Sequence, residues 1–185
     1  GPWRAERPIL LASASGTRRR LLAAAGLPVE PEASGIDERA LEESLGLTEP
    51  RTVALALAEA KALAVSARNP DRFVIGADPV LVCEGEVFSK PEDEAAARRH
   101  LARLQGKTHM LHVGVAIARS GLVEATFQES ARLTMRSLDE GAIARYVAVA
   151  GEAATRSVGA YEIESLGIHL FEAIEGEHST ILGLP

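Results

Sequence analysis

The chain has 185 residues, 46% of them hydrophobic and 25% charged, which suits a globular domain that buries a core without staples and excludes wholesale disorder. Twenty basic against 26 acidic side chains leave a formal charge of −6, so the surface as a whole does not attract nucleic acid and any phosphate binding must be local. Cys83 is the only cysteine, which excludes an internal disulfide and fits a reducing cytoplasm, and the longest Ala/Val/Leu/Ile run, Val53 to Ala58, is far short of the roughly 20 residues of a membrane span.

No repeat, linker or long charge block divides the sequence, so residues 1–185 read as a single domain with room for two lobes. Gly1-Pro2 resembles the remnant of a removed tag. Ile9 to Ser13 reads as a short buried strand, Arg18 to Ala25 as a helix stopped by Gly26, and Leu27 to Glu32 as a second strand. Thr52 to Arg68, framed by Pro50 and Asn69-Pro70, is a long helix. Phe73 to Ala77 is an apolar strand that leaves Asp78 where strand meets turn, and Val80 to Val82 and Val87-Phe88 flank Gly85-Glu86 as a hairpin would. Pro91 suits the first position of a helix ending before Gly106, which makes Lys90 its N-cap. Thr108 to Ala118 and Glu124 to Met135 alternate as two long strands turning around Ser120-Gly121. Ser137-x-x-Glu140 has capping-box spacing and opens a helix to about Ala150, and the tail reads as short strands separated by glycines 159, 167, 176 and 183. The alternation predicts an α/β fold built on a mixed sheet.

Ser13-x-Ser15-Gly16-x-Arg18 lies between the first strand and the first helix, where hydroxyls and backbone N–H groups either cap the helix or hold a phosphate. Arg18, Arg19 and Arg20 oppose the dipole of that helix, which an anion would relieve; the alternative is that Arg19 and Arg20 merely point into water. A lysine cannot accept the hydrogen bonds of an N-cap, so Lys90 reads as a cation for an oxyanion at the next helix start. Lys61 is either a snorkelling side chain or a functional cation, and Asp78 either caps a turn or serves as a catalytic or metal-binding carboxylate. Asp37-Glu38 could bring a further carboxylate or be merely solvated. In a strand, His109-x-x-His112 points its rings to opposite faces, which argues against a shared zinc ion, and Cys83 reads as a packed thiol.

Taken in order, Leu11-Ala-Ser-Ala-Ser-Gly-Thr-Arg18, Ile36-Asp-Glu38, Leu57-Ala-Glu-Ala-Lys-Ala62, Ile75-Gly-Ala-Asp78 and Lys90-Pro91 resemble the Maf family of nucleoside triphosphate pyrophosphatases. Gly106-x-x-His109, Gly151-Glu152, Val158-Gly-Ala-Tyr161 and Ile181-Leu-Gly-Leu-Pro185 extend the resemblance over nearly the whole chain. It implies a central mixed sheet flanked by helices, two lobes around a cleft, a homodimer, and a divalent cation, Mg²⁺ or Mn²⁺. The implied reaction hydrolyses the α–β phosphoanhydride of a nucleoside triphosphate to a monophosphate and pyrophosphate. The alternative it leaves is a nucleotide-binding regulator of cell division with little turnover. Carried over by position, Asp78 would be the proton acceptor or metal ligand, Glu38 would help hold the metal, and Ser13, Ser15, Arg18, Lys61 and Lys90 would line the triphosphate. An ordinary Asp pKa of ~3.9 makes a poor base at neutral pH, so strict metal dependence is expected. Gly16 stands where the family often has Pro, and Ser89 where Gly often precedes the Lys-Pro pair. Thr17, Pro79 and Glu164 occupy positions that distinguish base preference in the family. None matches the Arg, Thr and Gln of the type acting on dTTP and UTP. Glu164 resembles the 7-methyl-GTP subfamily, which usually carries Trp and Gln where Thr17 and Pro79 stand, and its carboxylate can accept two hydrogen bonds from guanine.

Overall fold

In the computed structural model, residues 6–185 are described, and the Gly1-Pro2 pair lies outside them. The first part of the chain contains β1 (Ile9–Leu11), α1 (Gly16–Ala24), β2 (Val29–Pro31), α2 (Glu38–Leu45), α3 (Pro50–Arg68), β3 (Val74–Cys83) and β4 (Glu86–Phe88). It continues through α4 (Glu94–Leu104), β5 (Thr108–Arg119), β6 (Leu122–Met135), α5 (Glu140–Ala150), α6 (Ala153–Arg156), β7 (Phe171–Glu175) and α7 (His178–Ile181). Short 3₁₀ turns occupy Val158–Ala160 and Leu166–Leu170.

Seven strands form one mixed sheet in the order β2-β1-β3-β5-β6-β7, with β4 pairing β3. β1 runs parallel to β2 and β3, whereas β4 and β7 lie antiparallel to their partners, as the α/β reading expects. The chain divides into two compact units. Of the described residues, the first takes 6–79 together with Val113–Glu129 and Gly183–Pro185; the second takes Val80–His112 and Ser130–Leu182.

In the first unit, the packing of α3 on the strands is set by small residues. A Cβ on Gly76 would fall 2.1 Å from the Ala58 carbonyl oxygen, and one on Gly114 would fall 2.5 Å from Ala54 backbone atoms. Only a missing side chain lets the helix backbone lie this close. Around that contact Leu10, Ala12, Ala58, Ala62, Val65, Val74, Ala116 and Ala118 form a buried cluster. The tip of the β5–β6 hairpin is a two-residue turn with φ of 52° at Ser120 and 74° at Gly121, the left-handed pair that matches strand twist. Gly121 N donates to Ser66 Oγ at 2.9 Å, tying the turn to α3.

In the second unit, His109, Tyr161 and Phe171 pack ring against ring with centroids 4.8 to 5.8 Å apart. His109 Nε2 and Tyr161 Oη are 2.8 Å apart. Burial pushes the imidazole down to about 4 and the phenol well above its usual range, so both stay neutral near pH 7.

Four local expectations are corrected. β3 does not end at Asp78 but continues through Pro79 to Cys83. Pro79 falls between the stretch registered with β1 (Val74, Ile75) and that registered with β4 (Leu81 to Cys83), where neither ladder needs its absent N–H. α4 begins at Glu94, capped by Asp93 accepting from Ala96 N at 2.7 Å, so Lys90 is not an N-cap; the nearby carboxylate is the better acceptor. Asp139 rather than Ser137 caps α5 in the same way. The tail holds one strand, β7, because the segments between its glycines are taken up by α6, the two 3₁₀ turns and α7.

Candidate active site

The start of α1 shows that capping and cation placement coexist. Ser15 Oγ accepts from Arg18 N at 3.3 Å, and Ser13 Oγ accepts from Ser15 N at 3.1 Å. Of the three arginines only Arg18 turns inward, to 8% exposure, while Arg19 and Arg20 are exposed and Arg20 donates to Thr17 Oγ1 at 3.0 Å. Arg18 Nη1 donates to Ser13 Oγ at 3.1 Å, and Nε donates to the Gly183 carbonyl at 2.7 Å. Burial pulls the guanidinium below its ordinary value, and the charges of Asp78 and Glu38 work against that pull.

The Asp37-Glu38 pair divides its work. Asp37 caps α2 by accepting from Ala40 N at 3.0 Å, which leaves the Glu38 carboxylate to accept from Lys61 Nζ at 2.9 Å. Lys61 does not snorkel: its ammonium is buried and also meets Asp78 Oδ1. Asp78 is 5% exposed in mid-strand and does not cap a turn. The contact follows from the packing already described, because Gly76 lies two residues before Asp78 while Ala58 and Ala62 flank Lys61. Seating α3 this low on β3 puts a lysine stem within reach of the strand carboxylate.

Burial raises the Asp78 pKa; the charge and hydrogen bond of Lys61 pull it back, Glu38 pushes it up and Arg18 draws it down. The ordinary value assumed from sequence therefore does not hold, and Asp78 is a better base than a solvated carboxylate. Glu42, one turn beyond Glu38 on α2, also has a raised pKa, from partial burial and from the charges of Asp78 and Glu38. The sequence reading missed Glu42, although its i, i+4 spacing from Glu38 was available. It also missed Gly183 as a partner of Arg18, for which no local signal exists.

Ser13, Ser15, Arg18, Glu38, Lys61 and Asp78 thus come together in the first unit, where Thr17 adjoins Arg18 on α1 and Pro79 follows Asp78 on β3. Lys90, exposed after β4, and Glu164, exposed between Tyr161 and the turn Leu166–Leu170, belong to the second unit. His112 Nδ1 meets Ser130 Oγ at 2.7 Å while His109 is engaged by Tyr161, so the two imidazoles have separate partners. Among the described residues no group of three or more His, Cys, Asp or Glu side chains could hold a metal ion. Two carboxylates nevertheless touch one ammonium nitrogen, so Glu38 and Asp78 can share a cation. Hard oxygen donors in so small a number suit Mg²⁺ or Mn²⁺, which Mg²⁺-type sites complete with water and substrate phosphates.

The chain matches the Maf-like protein family over residues 8–185. It belongs to that family. It is 52% identical to a nucleoside triphosphate pyrophosphatase of Nitrobacter winogradskyi, over 99% of this chain and 91% of the relative. It is also 48% identical to a nucleoside triphosphate pyrophosphatase of Rhodopseudomonas palustris, over the same shares. Identity to a 7-methyl-GTP pyrophosphatase of Mesorhizobium japonicum is 49%, over 96% of this chain and 90% of that protein. Among the described residues of this Maf-like chain no helix is long and apolar enough to cross a membrane.

Proposed function

We propose that the chain is a nucleoside triphosphate pyrophosphatase that hydrolyses the α–β phosphoanhydride to a nucleoside monophosphate and pyrophosphate. The observation that carries this reading is the buried Asp78 carboxylate held by Lys61, with Arg18 and the Ser13–Ser15 turn in the same unit. Asp78 accepts a proton from the attacking water, its base strength supported by burial. Arg18 and the α1 N-terminus take phosphate oxygens, the arrangement that phosphoryl transfer rewards because positioning and positive charge do most of the work. Lys61 holds Asp78 in place and adds positive charge beside it. Glu38 and Asp78 would hold Mg²⁺ or Mn²⁺, which when bound supplies Lewis acidity toward the phosphates.

Guanine nucleotides, 7-methyl-GTP among them, are the proposed substrates, supported by the carboxylate of Glu164 and by the likeness to the Mesorhizobium japonicum protein. Lys90 is proposed to meet the triphosphate as a further cation, as the family resemblance implies. A homodimer working in the cytoplasm completes the reading, the latter supported by the unbridged Cys83; light scattering that returns a monomer would reject the dimer. Incubating GTP, 7-methyl-GTP, UTP and dTTP with Mg²⁺ or Mn²⁺ and separating pyrophosphate from orthophosphate tests the reaction. Pyrophosphate is expected, and orthophosphate alone refutes the scission site. Asp78→Asn should lower turnover by about 10²- to 10⁴-fold, the worth of a positioned base, while the circular dichroism spectrum stays unchanged.

A further inference from the structure

Arg18 and Lys61 are both buried cations, but their charges are spent differently. Lys61 is paired with two carboxylates, Glu38 and Asp78. Arg18 is held by two neutral acceptors, the hydroxyl of Ser13 and the backbone carbonyl of Gly183, 165 residues away along the chain. A guanidinium has five N–H donors in a fixed plane. The two bonds orient that plane and, among the described residues, leave three N–H groups, with no carboxylate hydrogen-bonded to it.

The residue supplying the carbonyl is itself constrained. Gly183 has φ +88°, a conformation L side chains rarely adopt, and a Cβ there would fall 3.1 Å from Arg18 Nη2 and 3.2 Å from Nε. A side chain at this position would strain the backbone that presents the carbonyl and would push against the guanidinium. Both effects act on the same group.

Building on the pyrophosphatase reading, we propose that Gly183 is the positioning residue for Arg18: its carbonyl sets the plane of the guanidinium so that the remaining N–H groups meet a phosphoryl oxygen. A carbonyl is suited to this role because it fixes direction without cancelling charge, whereas a carboxylate in its place would neutralise the cation before the triphosphate arrived.

A double-mutant cycle tests the proposal, with GTP and 7-methyl-GTP as probes and pyrophosphate release as the readout. Gly183→Ala in the wild-type background should lower kcat/KM about tenfold, the scale of one misdirected charge-assisted hydrogen bond, mainly through KM. In the Arg18→Lys background, where no Nε–H exists to be held, the same change should cost less than about twofold. Equal losses in both backgrounds, or no loss in either, overturn the positioning role while leaving the activity standing. A wild-type protein that neither hydrolyses nor binds these nucleotides removes the pyrophosphatase reading and this inference together. Should Gly183→Ala fail to fold, the Arg18 Nε–H proton resonance of the wild-type protein, assigned by its loss in Arg18→Lys, still decides. Protection from solvent exchange supports the bond to Gly183, and exchange as fast as that of exposed Arg19 overturns it.

Discussion

His109 is a stability sensor for acid, and the effect can be worked out from its burial. The imidazole is 1% exposed, its Nε2 faces Tyr161 Oη, and Nδ1 has no partner among the described residues. Burial pushes its pKa down to about 4, against about 6.5 in the unfolded chain. As pH falls below 6.5 the unfolded chain takes up a proton that the folded chain refuses, so stability is full above 6.5 and is lost progressively down to 4. A depression of about 2.5 units at about 1.36 kcal/mol per unit amounts to about 3 kcal/mol in all, of which about 2 kcal/mol is lost between pH 7.5 and pH 5. Carboxylates titrate in the same range, so the comparison needs a variant that lacks only this proton. His109→Gln offers the tyrosine an acceptor and carries no charge. Urea unfolding followed by far-ultraviolet circular dichroism should find the stability advantage of wild type over His109→Gln shrinking by about 2 kcal/mol from pH 7.5 to pH 5. An advantage that stays constant across that range would mean that the folded protein protonates His109 freely, and the burial argument would be refuted.

Three further outcomes follow from the packing. Gly76→Ala places a methyl 2.1 Å from the Ala58 carbonyl oxygen; it should cost about 1–3 kcal/mol or more and lower turnover by separating α3 from β3, and an unchanged melting temperature would refute the close approach. Lys61→Met strips the buried Asp78 carboxylate of its ammonium. At neutral pH it should cost about 3–5 kcal/mol, and denaturant titrations should show the loss easing as pH falls, because the raised Asp78 pKa lets the carboxyl take up a proton. Asp93→Ala removes the α4 cap and should cost about 1 kcal/mol by thermal unfolding, whereas Lys90→Ala should cost little; the reverse order would restore Lys90 as the cap.

Much of the fold was legible because its signals are local. The long helix between Pro50 and Asn69 carries its own stops, the β5–β6 hairpin its alternation and turn pair, and Gly26 its positive φ of 77°. Where the reading slipped, two local signals competed within a few residues. Pro91 argued for a helix start, but Asp93, two residues on, presents a carboxylate to the free N–H of Ala96. Pro79 argued for a strand end, but a proline interrupts a strand only where a ladder partner needs its N–H.

The amino-acid sequence by itself determined which chemical groups are present and where the chain turns: the serines at the start of α1, the acidic pair at Asp37-Glu38, the lysine in an alanine-rich helix and the aspartate after an apolar run. It left open whether each was bland or functional, since capping, snorkelling and solvation use the same residue types. Tertiary packing decided which partners each side chain meets, by removing water. With α3 seated on glycines of β3 and β5, Lys61 lost its route to solvent and met Asp78 and Glu38. With the chain's last residues packed in the first unit, Arg18 gained the Gly183 carbonyl. Local spacing cannot encode such pairings, because they join positions 17 and 165 residues apart and cost free energy unless burial brings every partner together at once.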